Sequence, residues 1–113
     1  RALLINVEKQ IESGDIDKIV EADSQFHDAL YQSSHNQRLV GIISNLRDQV
    51  TRLRTRSMNY PGRLDNTLKE HKDLVDAIAS RDVTRAQELA RLHLENAEQT
   101  LLAAIKEASM KNN

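Results

Sequence analysis

Apolar residues recur at intervals of three and four positions along almost the whole chain, which is the spacing of amphipathic α-helices. The sequence contains only three glycines and one proline, and runs of β-branched residues that would favour strands are scarce. The clearest breaks are Gly14, the polar residues 32–35 and the segment Tyr60-Pro61-Gly62. The pattern therefore predicts five helices, which begin near residues 2, 16, 37, 64 and 83.

Residues typical of helix ends stand at these breaks. Gly14 is expected to close the first helix in the left-handed conformation, and Asp15, Asn36 and Asp82 are expected to cap the helices that follow. The predicted inward faces are Leu39, Ile43, Leu46, Val50 and Leu53 in the third helix; Leu64, Leu68, His71, Leu74, Val75 and Ile78 in the fourth; and Ala86, Leu89, Ala90, His93, Ala97, Leu101 and Ala104 in the fifth. Short connections make neighbouring helices antiparallel, so we expect an all-α antiparallel helical bundle.

Composition narrows the possible functions. The 113 residues suffice for one domain, over residues 1–113, and the formal net charge of −1 argues against direct electrostatic binding of nucleic acid. The absence of cysteine excludes disulfides and thiolate metal sites and is compatible with a cytoplasmic protein, and no apolar run is long enough to span a membrane. Because the chain starts at Arg1 within helix-like sequence, we expect a fragment whose N-terminal part is missing.

Four ionisable residues fall on the predicted apolar faces: Asp23, His27, His71 and His93. Asp23 and His27 are four residues apart and point the same way on a helix. An ionisable group that faces a core must be paired, hydrogen-bonded or bound to a metal. Together the four predict one buried metal site supplied by three helices, for which zinc is the first expectation, and nickel, manganese and iron suit the same ligands. His35 lies in a turn and is excluded from the site.

The sequence around these residues resembles the FCD domains, which are the effector-binding C-terminal domains of FadR-type GntR transcription regulators. The segment from Asp23 to Leu30 resembles the family motif D-x-x-F-H-x-x-L. Further matches follow in order along the chain, at Gly14-Asp15, Ser34, Asn36 and Leu39, Glu70-His71, Ala77-Ile78, Asp82, Ala86 and His93-Leu94. His35 and Arg81 stand where the family usually has glycine, which puts the geometry of two turns in question.

The resemblance implies a bundle of six or seven helices with a central pocket, in which an aspartate and three histidines hold a divalent metal. It also implies a small carboxylic acid or sugar acid as the effector, a homodimer, and operator DNA bound through an N-terminal winged helix-turn-helix that this sequence lacks. Arg54 is then expected to bind the carboxylate of the effector, although a surface arginine is an alternative. Asn96, one turn after His93, is expected to bind the effector or orient a ligand, unless it is an ordinary half-exposed polar residue. Glu70 is expected to point elsewhere.

Two other functions compete with that of a metal-dependent sensing domain. A metalloenzyme is disfavoured because no histidine follows a glutamate by three residues, the His-Glu-x-x-His motif is missing, and no nucleophile with a readable triad is present. We therefore expect no enzymatic activity. A plain helical dimerisation or interaction module, in which the histidines are buried and hydrogen-bonded without a metal, stays open.

Overall fold

The computed structural model describes residues 1–111 and contains six α-helices and no strand in that range. The helices are α1 Ala2–Ser13, α2 Ile16–Ser33, α3 Gln37–Asn45, α4 Arg47–Met58, α5 Arg63–Ala79 and α6 Val83–Lys111. The all-α class predicted from the hydrophobic pattern is confirmed. The chain divides into a first unit, residues 1–55, and a second unit from residue 56 onward, which are described separately below.

Helices α1 and α2 form a helical hairpin in the first unit. Gly14 has φ 73° and closes α1, and its backbone N–H donates to the carbonyl of Ile11. The Asp15 carboxylate accepts hydrogen bonds from the backbone N–H groups of Asp17 and Lys18, which caps α2. The connection is as predicted, and the buried apolar side chains of the two helices are Leu4 and Val7 in α1 and Ile19, Val20, Ala22 and Phe26 in α2.

The predicted third helix is two helices in the structure. Asn36 caps α3 as expected, because its side-chain oxygen accepts from the backbone N–H of Leu39. The helix then breaks at Leu46, which has φ −101° and ψ 5°. A break changes the rotational phase of the residues that follow, so a stripe drawn for one continuous helix does not stay on one face. The predicted inward positions Leu46 and Leu53 are accordingly exposed, and Leu39, which precedes the break, is exposed as well.

Helices α5 and α6 form the hairpin of the second unit, after the predicted break at residues 60–62. Leu74 and Ala77 of α5 are buried, and Ala77 has no exposed surface. Ile78, predicted to face inward, is 47% exposed, since it lies at the end of α5 next to the turn. The predicted inward positions of α6 are all half-buried.

Among the residues that the structure describes, two other than glycine adopt left-handed backbone conformations: His35 with φ 56° and Arg81 with φ 58°. Both follow a helix, α2 and α5 respectively. They are the two positions where the resembling family usually has glycine, so the turns keep the conformation that glycine favours while carrying a side chain. Within residues 1–111, no helix is both long enough and apolar enough to cross a membrane.

Candidate functional site

Asp23 and His27 lie one turn apart on α2 in the first unit, and both are buried. The His27 Nδ1 atom is 2.9 Å from the backbone carbonyl oxygen of Asp23 and 3.2 Å from its Oδ2 atom. Both atoms of Asp23 are acceptors, so the neutral imidazole carries its proton on Nδ1 and directs the lone pair of Nε2 elsewhere. A histidine that binds a metal through Nε2 is oriented in this way, by a hydrogen bond from Nδ1–H to an oxygen acceptor.

Arg54 extends from α4 to the same part of α2. Its Nε atom is 3.7 Å from Asp23 Oδ2, and its two terminal nitrogens donate to the Ser24 hydroxyl at 3.0 Å and the Tyr31 hydroxyl at 3.3 Å. The side chain is only 17% exposed, so the alternative of a surface arginine does not describe it. The guanidinium partly neutralises the buried Asp23 carboxylate and is held in place by two hydroxyl groups.

Ser24 and Tyr31 were not predicted from the sequence. They are seven residues apart, two helical turns, and thus share a face of α2 next to the face of Asp23 and His27. That spacing is the signal that could have revealed them. A cavity of about 20 Å³ beside them is also lined by Arg54, and it is large enough for one water molecule.

His71 of α5 and His93 of α6 lie next to each other in the second unit. Their ring centroids are 4.8 Å apart, with an angle of 58° between the ring planes. His71 has no exposed surface, and the His93 side chain is 13% exposed. The structure therefore brings together two of the histidines that the sequence placed on separate helices.

Glu70 contacts His93, so the expectation that it points elsewhere is wrong. His93 Nδ1 is 2.6 Å from Glu70 Oε1. Arg63, which is 4% exposed, donates to both oxygens of the same carboxylate at 2.9 Å. Burial by itself raises the pKa of Glu70, but the hydrogen bonds from His93 and Arg63 and the charge of Arg63 outweigh it and lower the pKa to about 2. Glu70 is thus an ionised, firmly held acceptor.

Asn96 lies one turn after His93 on α6, and its Nδ2 atom donates to Glu70 Oε2 at 3.2 Å. Asn96 also borders a groove between α5 and α6 with a volume of about 500 Å³. Polar side chains that line this groove include Arg63, Lys69, Gln99 and Thr100. The volume is that of a small-molecule site, and the lining offers several hydrogen-bond donors.

The donors present fit a divalent cation. Each unit, taken by itself, contains a pair of side chains that can act as metal ligands, a carboxylate with an imidazole in the first and two imidazoles in the second. His27 and His93 each have Nδ1 against an acceptor oxygen, an arrangement in which Nε2 is the atom that could coordinate a cation. Imidazole and carboxylate ligands suit zinc and its neighbours in the first transition series.

Comparison with protein families identifies this all-helical chain. Residues 1–96 match the FCD domain, a stretch that contains all six predicted site residues. The chain belongs to the FCD family, whose members are ligand-binding regulatory domains of GntR-type transcription regulators. The suspected family is thereby confirmed. Comparisons with curated proteins and with solved structures find no match.

Proposed function

We propose that this chain is a metal-dependent sensing domain for a small carboxylic acid in a GntR-type transcription regulator of the FadR kind. Asp23, His27, His71 and His93 are the proposed metal ligands. The observation that carries the proposal is the pairing of His27 and His93 through Nδ1 with oxygen acceptors, Asp23 and Glu70. The neutral imidazole of a metal ligand is oriented in this way, with Nδ1–H donating to an oxygen acceptor and Nε2 available to the metal.

When bound, the cation, for which zinc is our first candidate, supplies a fixed positive charge that attracts the carboxylate of an effector. Side chains of the protein would provide the remaining contacts to the effector. Arg54 presents a guanidinium, a group that can bind a carboxylate through two parallel hydrogen bonds. Asn96 borders the groove of the second unit and offers an amide to the hydroxyl or carboxylate groups of the effector.

The effector would regulate DNA binding through its different affinities for two arrangements of the protein. An effector shifts the equilibrium between two arrangements of the protein only as far as it binds one of them more tightly. In the full regulator, a winged helix-turn-helix outside this sequence would contact operator DNA, and the protein would act as a homodimer in the cytoplasm. The sensing domain itself would catalyse no reaction.

The metal part of the proposal is tested by the metal content of untagged protein. Zinc is added, excess is removed, and bound zinc per chain is measured by elemental analysis for the wild type and for His93→Ala. We expect one zinc per chain in the wild type and a clear loss in the variant. The matched control is His35→Ala, because His35 is exposed in a turn and should leave zinc content unchanged. Wild-type protein without zinc, or His93→Ala with full zinc, would contradict the assignment.

The effector part is tested by thermal unfolding with a panel of small mono-, di- and hydroxycarboxylic acids. A ligand at 100 times its Kd stabilises the folded state by about 2.7 kcal/mol, which raises Tm by several degrees. We expect such a rise in zinc-loaded protein and little or none after chelation. Arg54→Gln should weaken the response, whereas Arg52→Gln, an exposed arginine of the same helix, should preserve it. A panel without any metal-dependent shift would refute acid sensing.

A further inference from the structure

The carboxylate of Glu70 is surrounded by hydrogen-bond donors from three other residues of the second unit. Oε1 accepts from Arg63 Nη2 at 2.9 Å and contacts His93 Nδ1 at 2.6 Å. Oε2 accepts from Arg63 Nη1 at 2.9 Å and from Asn96 Nδ2 at 3.2 Å. Each oxygen therefore has two donors, and the carboxylate cannot rotate without breaking bonds to all three partners.

Arg63 makes this arrangement rigid. Its guanidinium is nearly inaccessible to solvent, and it binds Glu70 with two parallel hydrogen bonds, which fixes both the position and the plane of the carboxylate. Arg63 is the first residue of α5 and Glu70 lies two turns later on the same helix. The acceptor offered to His93 is thus fixed by α5 alone, before any residue of α6 contributes.

The consequence for His93 follows from which atoms can donate. A carboxylate held by arginine only accepts, so the hydrogen of the His93–Glu70 contact belongs to the imidazole Nδ1. The lone pair of the neutral ring is then on Nε2, and the ring plane is set by the direction of the Glu70 oxygen.

We propose that Glu70 is the positioning residue for His93, fixing the Nδ1–H tautomer and the ring orientation that coordination through Nε2 requires, with Arg63 fixing Glu70 in turn. This assignment rests on the proposed metal-binding function. Glu70, which immediately precedes His71, would thereby orient one of the four proposed ligands through a hydrogen bond. Such outer partners typically change metal affinity by a factor of 10 to 100.

The first test reads the tautomer directly in the metal-free full chain. Long-range proton–nitrogen NMR correlation at a pH where imidazoles are neutral distinguishes the protonated from the unprotonated ring nitrogen. We expect His93 to carry its proton on Nδ1 in the wild type and to lose this preference in Glu70→Gln, whose amide can both donate and accept. A wild-type His93 protonated on Nε2 would overturn the proposal without recourse to any variant.

The second test measures zinc affinity by competition with a chelator. Glu70→Gln should weaken zinc binding by a factor of 10 to 100, and Glu70→Asp, which retains the carboxylate, should recover part of the loss. Arg63→Lys removes the paired hydrogen bonds and should give an intermediate loss. Glu98→Gln, at an exposed position of α6, is the matched control and should bind zinc like the wild type.

The outcomes separate this inference from the proposed function. If the wild type binds no zinc, the metal-dependent function fails. If the wild type and Glu70→Gln bind zinc with equal affinity, the function stands and the role of Glu70 is refuted. Should Glu70→Gln be unfolded, as circular dichroism would show, the wild-type tautomer and Arg63→Lys decide the question.

Discussion

Replacing Arg81 by glycine should stabilise the protein. The turn after α5 is a Schellman motif, in which the backbone N–H of Asp82 donates to the Ala77 carbonyl and that of Arg81 to the Ile78 carbonyl, both at 3.0 Å. This motif requires a left-handed residue at Arg81, which has φ 58°. Neither hydrogen bond involves the Arg81 side chain, so glycine retains both and removes the contact of Cβ with the backbone.

The size of the effect is the difference between two opposing contributions. A left-handed conformation costs a residue with a Cβ atom roughly 1–2 kcal/mol. Glycine in turn loses more conformational freedom on folding, which offsets about 0.5–1 kcal/mol of that gain. We therefore expect Arg81→Gly to raise the free energy of unfolding by about 0.5–1 kcal/mol. For a domain of this size, that corresponds to a rise in Tm of a few degrees.

Urea unfolding of the metal-free chain is the suitable assay, with the midpoint expected to rise and the slope m to stay constant. Arg81→Ala is the matched control, because it removes the same charge while keeping Cβ, and it should show no such gain. Ser80→Gly places glycine at the neighbouring residue, whose φ is −83°, and should lower stability. Equal stability of Arg81→Gly and Arg81→Ala would show that backbone strain at this turn is negligible.

Three further predictions concern stability. Asp15→Ala removes the cap of α2 and should lower the free energy of unfolding in urea by about 1 kcal/mol; an unchanged midpoint would show that the cap contributes nothing. Ala77→Leu inserts a larger side chain where no surface is exposed and should cost about 1–3 kcal/mol, whereas Ala79→Leu at an exposed position should change little; equal effects would argue against tight packing at residue 77. Because the folded pKa of Glu70 is about 2, below its ordinary 4.5, its contribution is present above pH 4.5 and is lost as the pH falls towards 2. The stability difference between metal-free wild type and Glu70→Gln should shrink across that range by on the order of 2 kcal/mol, after allowance for solvent screening; a constant difference would contradict the lowered pKa.

Much of the fold was predictable because it depends on local chemistry. Gly14 ends α1, and Asp15 and Asn36 begin the next two helices, each through atoms within three residues of the break. The break at Leu46 was missed because the hydrophobic spacing continues across it and neither glycine nor proline stands there; only Ser44 and Asn45, which precede it, mark a helix end. Hydrophobic spacing alone does not reveal a helix break of this kind.

The candidate site shows the same division between local and distant contacts. The contact between His27 and Asp23 follows from their spacing of four residues and was predictable. The contact between Glu70 and His93 was not predictable. Glu70 is adjacent to His71, and adjacent residues on a helix point about 100° apart, while His93 comes from another helix. Arg63 left a weaker signal, since it precedes Glu70 by seven residues and so shares a face with it. Its burial became visible only in the structure.

The ion pair between the buried Arg63 and the half-buried Glu70 also constrains how this protein can diverge. Removing one partner of a buried ion pair leaves an uncompensated charge and is strongly destabilising, whereas replacing both by apolar residues of similar size is often tolerated. The two positions are therefore energetically coupled, and the effect of changing both should be smaller than the sum of the single changes. Replacing the two residues one after the other passes through a less stable variant. Selection would therefore retain the arginine and the glutamate together while neighbouring surface residues change.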